Sequence, residues 1–86
     1  MNISVELTLL PLKDDFKTPI KNFIQKLRTL GFLVLENPMS TQIYGEYDAL
    51  MSSLQLVIKE SLENEPSVVL NIKIIKGDRS SYVPTF

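Results

Sequence analysis

The chain has 86 residues, of which 44% are hydrophobic and 22% are charged, a composition typical of one globular domain. Its net charge of −1 offers no basic surface to nucleic acids or anionic membranes. It contains no cysteine and no histidine, which excludes disulfides, thiolate nucleophiles, histidine-based triads and metal sites with either ligand. We therefore expect a protein that is not an enzyme and holds neither metal nor cofactor.

We expect no targeting segment in this chain. The start of the sequence has no basic region ahead of an apolar run, and Glu6 lies where a signal peptide needs hydrophobic residues. Apolar runs such as residues 32–35 are far shorter than the ~20 residues that span a bilayer. We expect one cytoplasmic domain over residues 1–86, with a polar C-terminal tail over residues 77–86.

The first half of the chain predicts a strand, a helix and a second strand. Residues 2–12 alternate apolar and polar side chains, the period of a half-buried strand. Thr18 followed by Pro19 predicts a helix start with Thr18 as the N-cap. An apolar stripe at helical spacing follows, formed by Ile20, Phe23, Ile24, Leu27 and Leu30. Gly31 predicts the helix end, and residues 32–36 predict the second strand.

The second half predicts a strand, a helix and a last strand. Residues 41–44 predict a third strand that ends at Gly45 and pairs with the second strand as a hairpin. Glu46 and Asp48 place acidic groups at the positive end of the next helix. Residues 68–75 predict the last strand, which is apolar on both faces, and this pattern is typical of association. We expect a homo-oligomer, either a dimer or a tetramer of two dimers.

The element order βαββαβ predicts an α+β, ferredoxin-like sandwich. In this fold, strands one and three lie in the centre of a four-stranded antiparallel sheet, and both helices cover one face. Alternation assigns one set of residues to dense packing under the helices: Ile3, Val5, Leu7, Leu9, Ile43, Leu70 and Ile72. It assigns another set to the open face: Ser4, Glu6, Thr8, Gln42, Tyr44, Val69, Asn71, Lys73 and Ile75.

The densest polar and aromatic segment covers residues 37–48, at a turn, a central strand and a helix start. Its Pro38-Met39-Ser40-Thr41 and the following residues 43–48 and 50–51, Ile-Tyr-Gly-Glu-Tyr-Asp and Leu-Met, closely resemble the signature of the YkoF-like family. This family binds thiamine and hydroxymethylpyrimidine and includes the single-domain UPF0045 proteins. The resemblance extends over about residues 2–76. It implies a ferredoxin-like domain that pairs with other copies through its sheet and binds a small molecule.

An aminopyrimidine needs a flat apolar surface and hydrogen-bonding partners for its amine and ring nitrogens. With the resemblance, this chemistry selects seven candidate ligand-binding residues on the open face or at its strand entrance, near a subunit contact: Glu6, Thr8, Ser40, Thr41, Gln42, Tyr44 and Asn71. Each has a purely structural alternative. Glu6 and Lys73 form a cross-strand ion pair in that alternative, Ser40 and Thr41 serve the turn, and Tyr44 anchors an interface.

Two other functions share this topology. An RNA-binding sheet also carries aromatic residues on its open face, but here Glu46 lies inside the Tyr44–Tyr47 stretch and no basic residue precedes it. An oligomeric module with a structural or regulatory role, binding some other small ligand, remains the second alternative.

Overall fold

The computed structural model describes all 86 residues, Met1–Phe86. Its elements, in chain order, are β1 (Asn2–Pro11), α1 (Lys17–Arg28), β2 (Leu33–Glu36), β3 (Thr41–Glu46), α2 (Tyr47–Glu63) and β4 (Val68–Lys76). The strands form one antiparallel sheet in the order β2-β3-β1-β4. The predicted α+β, ferredoxin-like fold is confirmed, with β1 and β3 in the centre.

The core lies between the sheet and the two helices. Alternate residues of β1 supply its floor, and Ile43 of β3 joins them. The helices contribute the remaining buried apolar side chains, which are Phe23 and Leu27 from α1 and Leu50, Leu54 and Val57 from α2. Burial of such a side chain stabilises the fold by roughly 1.5–3 kcal/mol, so this single layer of contacts holds helices and sheet together.

The start of α1 differs from the prediction. The N-cap position is Phe16, and no side chain caps the helix there. Thr18 lies inside the first turn, where its hydroxyl donates to Asp15 Oδ1 at 3.3 Å. Because the helix already begins at Lys17, one residue before Thr18, the Thr18 N-cap prediction is wrong. At the other end, Gly31 follows the helix with a φ of +86°, a conformation that glycine adopts without strain.

The start of α2 follows the prediction. Glu46 is the N-cap, and its carboxylate accepts a hydrogen bond from the Ala49 N–H at 3.0 Å. This bond and a second one from the Asp48 N–H lower the pKa of Glu46 below its ordinary value. Asn64 is the C-cap of this helix.

The last strand is far more exposed than the alternation predicts. Ile72 and Ile74 belong to the helix side of the sheet, but 44% and 46% of their surfaces are exposed. The expectation that Ile72 packs densely is wrong, because β4 is an edge strand and the two helices lie over β1, β2 and β3. Val69 and Ile75, on the open face, are each 42% exposed. No helix is both long and apolar enough to cross a bilayer.

Gly45 lies within β3 and does not end it. The strand continues to Glu46, and Gly45 pairs with Ile3 across the sheet. A Cβ atom at Gly45 would lie 2.6 Å from Cδ1 and 2.9 Å from Cε1 of the Phe32 ring. The glycine is therefore required for the close approach of this aromatic ring to the strand, and the prediction of a strand end at Gly45 is wrong.

We predict that Gly45→Ala lowers the free energy of unfolding by about 1–3 kcal/mol, because the added methyl group must displace the Phe32 ring. Urea denaturation of the parent and variant measures this loss. In a Phe32→Leu background the same substitution should cost less, since the flat ring no longer covers the glycine. Equal losses in both backgrounds would contradict the steric explanation.

We predict that Glu46→Gln removes an acid-sensitive part of the stability. The folded-state pKa of Glu46 is lowered, so its ionised cap stabilises the fold above the ordinary glutamate pKa of about 4.3. That contribution is lost as the pH falls through the lower, folded-state pKa. The difference in unfolding free energy between parent and Glu46→Gln should therefore be largest near neutral pH and shrink below about pH 4. The matched change Glu63→Gln, at the other end of α2, should not produce this pH-dependent loss of stability. A stability difference between parent and Glu46→Gln that does not change with pH would refute the capping role of the Glu46 carboxylate.

Candidate functional site

The open face of the sheet consists of parallel rows of side chains that cross the strands. One row runs Leu35, Gln42, Glu6, Lys73, and the adjacent row runs Leu33, Tyr44, Ser4, Ile75. On the other side of the first row, Thr8 lies opposite Asn71. The structure thus brings five of the seven candidate residues to this face: Glu6, Thr8, Gln42, Tyr44 and Asn71.

A hydrogen-bonded polar network lies on this face, and Ser40 is its centre. The Ser40 hydroxyl donates to Glu6 Oε2 at 3.0 Å and accepts from the Gln42 side-chain amide at 2.6 Å. The other oxygen of Glu6 lies 3.6 Å from Lys73 Nζ, so the cross-strand ion pair is also present. We define Glu6, Ser40, Gln42 and Lys73 as the polar network. It holds one carboxylate, one hydroxyl and one amide in fixed positions on a half-buried surface.

The C-terminal tail closes one end of the open face. Ser4 is buried there because its hydroxyl donates to the Gly77 carbonyl at 2.7 Å and accepts from the Arg79 N–H at 2.9 Å. Next to this tail, a hollow of about 130 Å³ lies over Ser4, Glu6 and Lys73. A ligand on the open face therefore has more room at the opposite end, towards Thr8.

At that opposite end, a cleft of about 420 Å³ lies between α1, the end of β1 and the loop of residues 37–40. We call it the β1 cleft. Three candidate residues line it: Thr8, Ser40 and Thr41. Its remaining lining residues are mostly apolar: Leu7, Leu9, Leu10, Ile20, Phe23, Ile24, Asn37, Pro38 and Met39. Because Ser40 belongs to both the cleft and the polar network, one hydrogen bond separates the cleft from the Glu6 carboxylate.

Thr41 differs from the other candidates in its orientation. It pairs with Leu7, which lies in the core, so the Thr41 side chain faces the helices and is only 5% exposed. The alternation that places Gln42 and Tyr44 on the open face already assigns Thr41 to the opposite face. The apolar cleft wall of Ile20, Phe23 and Ile24 was identified in the sequence only as a helix stripe, since nothing local indicates where the loop passes it.

The structure brings no three carboxylates together in a group that could hold a metal ion. Within the polar network the only acidic group is Glu6, and it is already paired with Lys73 and Ser40. The arrangement can therefore orient a polar heterocycle by hydrogen bonds and offer a negative charge to a cationic one.

The solved structures that share this fold include a relative with appreciable sequence identity. Protein SP2199 from Streptococcus pneumoniae is 30% identical, with a TM-score of 0.83, and the match covers 94% of this chain and 92% of that one. No family model matches the chain, and no curated protein matches it.

Two further structures share the fold at lower identity. One is TM0486 of Thermotoga maritima, named for a proposed role in thiamine biosynthesis or salvage; it is 20% identical with a TM-score of 0.78, over 86% of this chain and 82% of that one. The other is a domain of unknown function, DUF77, from Bacillus cereus, 18% identical with a TM-score of 0.72, over 99% and 84% of the two chains.

Proposed function

The chain belongs to the same family as SP2199 of Streptococcus pneumoniae, and we propose that it binds thiamine or its hydroxymethylpyrimidine moiety without catalysing a reaction. Its sequence resemblance to the YkoF-like, UPF0045 proteins is confirmed by the shared fold. The observation that carries the proposal is the polar network beside the β1 cleft. There, Ser40 fixes the Glu6 carboxylate and the Gln42 amide on a surface that continues into an apolar cleft.

The chemistry of thiamine fits this surface. Its aminopyrimidine ring needs apolar contacts and a few oriented hydrogen-bonding groups, and its thiazolium ring carries a positive charge. The cleft offers the apolar contacts, and Glu6 offers a carboxylate whose side chain is 42% exposed and therefore reachable. Tyr44 offers an aromatic face, which also favours a cation. The name of the Thermotoga maritima neighbour supports the same ligand class.

We also propose that the protein is a homo-oligomer and that β4 forms the contact. Four apolar side chains of β4 are exposed on its two faces: Val69, Ile72, Ile74 and Ile75. The outer edge of this nine-residue strand has no neighbour in the sheet. Covering the open face with a second copy would also exclude water from the polar network and strengthen its hydrogen bonds.

We predict that thiamine and hydroxymethylpyrimidine raise the melting temperature of the protein, whereas amino acids and short RNA do not. Tyr44→Ala and Thr8→Val should each weaken binding by about 1–3 kcal/mol, the range for losing a contact group in a partly buried site. Tyr82→Ala, in the exposed tail, is the control and should bind as the parent does. The ligands should be recovered chemically unchanged. Stabilisation by RNA alone, or hydrolysis of thiamine that depends on Glu6, would contradict the proposal.

We predict that light scattering at micromolar concentration gives at least twice the 9.8 kDa mass of one chain. Val69→Asp combined with Ile75→Asp, on the open face of β4, should raise the dissociation constant at least tenfold, because charges would replace apolar surface at the contact. Leu56→Asp, at an exposed position of α2, is the matched control and should leave the mass unchanged. A monomeric parent would exclude the oligomer.

A further inference from the structure

The two strands that flank β1 pair with it over different lengths. On one side, β4 pairs with β1 from Ile3 to Pro11. On the other side, β3 pairs with β1 only from Asn2 to Leu7, because β3 begins at Thr41. Beyond Leu7 the sheet therefore has a gap on the β3 side, and the β1 cleft lies in this gap.

The direction of each backbone group along β1 follows from two bonds at its start. The Tyr47 N–H donates to the Met1 carbonyl at 2.8 Å, on the β3 side, and the Gly77 N–H donates to the Asn2 carbonyl at 2.8 Å, on the β4 side. In an antiparallel ladder these directions alternate from one residue to the next. Odd-numbered residues of β1 therefore direct their N–H and C=O groups towards β3, and Leu9 directs both of its groups into the gap.

The β1–β3 pairing ends at Leu7, and none of the backbone hydrogen bonds made by turns and loops involves Leu9. Continuing the register would place Met39 opposite Leu9, but the Met39 N–H donates to Asn37 Oδ1 at 2.8 Å, and the Ser40 N–H donates to the same oxygen at 2.9 Å. The asparagine side chain thus turns the loop away from β1. Leu9 itself is 4% exposed, so its backbone donor and acceptor lie at a largely buried position. Buried backbone groups without a partner are rare, since leaving one unpaired is costly.

A side-chain hydroxyl also lies at the same cleft. It belongs to Thr41, a residue that is only 5% exposed. Thr41 and Leu9 both line the β1 cleft, whose volume of about 420 Å³ falls within the range of small-molecule pockets, roughly 300–1,000 Å³.

We propose that the β1 cleft binds a flat heteroaromatic ring through the backbone of Leu9. The ring would carry a hydrogen-bond donor and an acceptor on adjacent atoms, as a 4-aminopyrimidine does. Its ring nitrogen accepts from the Leu9 N–H, its exocyclic amine donates to the Leu9 carbonyl, and the Thr41 hydroxyl takes a further polar atom. Ile20, Phe23 and Ile24 contact the ring from α1. This inference deepens the proposed function and rests on it.

The length of the gap favours a small ring over a peptide strand. Leu7 is already paired with Thr41, and Pro11 has no N–H to offer. Only Leu9 therefore presents both a donor and an acceptor on this side, and an added strand would find a single residue to pair with. One donor next to one acceptor matches the edge of an aminopyrimidine.

The test measures binding of 4-amino-5-hydroxymethyl-2-methylpyrimidine by calorimetry. In one variant the backbone amide at Leu9 is replaced by an ester that keeps the leucine side chain, and in another Thr41 is changed, Thr41→Val. Each change should weaken binding by about 5–30-fold, the effect of losing one hydrogen bond in a buried site. Thr18→Val, the same substitution outside the cleft, should leave binding unchanged. A ligand analogue with a methyl group in place of the exocyclic amine should bind the parent more weakly by a similar factor.

The melting temperature of each variant shows whether it folds. If the ester variant does not fold, the ligand analogue still tests the contact with Leu9, because it is measured on the unaltered protein. Parent-like binding by both variants would overturn this inference and leave the proposed function standing. Failure of the parent to bind any thiamine-type ligand would overturn both.

Discussion

The hydrogen-bonding register of β1 is the constraint on which the rest of this structure depends. Side chains of odd-numbered residues from Ile3 to Leu9 face the helices and form the floor of the core, whereas even-numbered residues from Ser4 to Thr8 face the open side. The same parity directs the odd-numbered backbone groups towards β3 and the even-numbered ones towards β4. One strand thus determines the core, the polar network and the free backbone groups together.

The candidate site arises where this regular pairing stops. Along most of β1 the backbone groups are paired with strands on both sides and are therefore not available to a ligand. At Leu9 the β3 partner is missing because Asn37 holds the loop in a tight turn through two backbone N–H groups. The loop that leaves the gap also carries Ser40, which orients Glu6 and Gln42 on the open face. One ligand could therefore place a ring in the gap and a charged substituent near Glu6.

Much of the fold follows from periodicity. Alternation in β1 and the apolar stripes of both helices predict the element order, and the order with right-handed crossovers predicts the sheet. Periodicity cannot show how much of the sheet the helices cover. It assigns Ile72 to the helix side but does not reveal that the helices stop short of β4. Likewise it cannot show that Phe32 passes over Gly45, since that contact depends on the distance between two strands.

The candidate site could be predicted from the sequence only in part. The side chains of Glu6, Gln42 and Tyr44 were placed correctly on one face because alternation decides it. Thr41 belongs to the other face by the same rule. The Leu9 backbone was not identified, because a backbone group has no signature in the sequence; only the offset between β1 and β3, set by the loop of residues 37–40, makes it free.

The central claim is that a heterocycle occupies the gap beside Leu9. The most direct measurement is a nitrogen-15 correlation spectrum of the protein, recorded as hydroxymethylpyrimidine is added. The account predicts that the amide signals of Leu9 and Thr41 shift most, with the Leu9 proton moving downfield as its N–H acquires an acceptor. Largest shifts at Ser4 and Ile75, with the Leu9 signal unmoved, would contradict it.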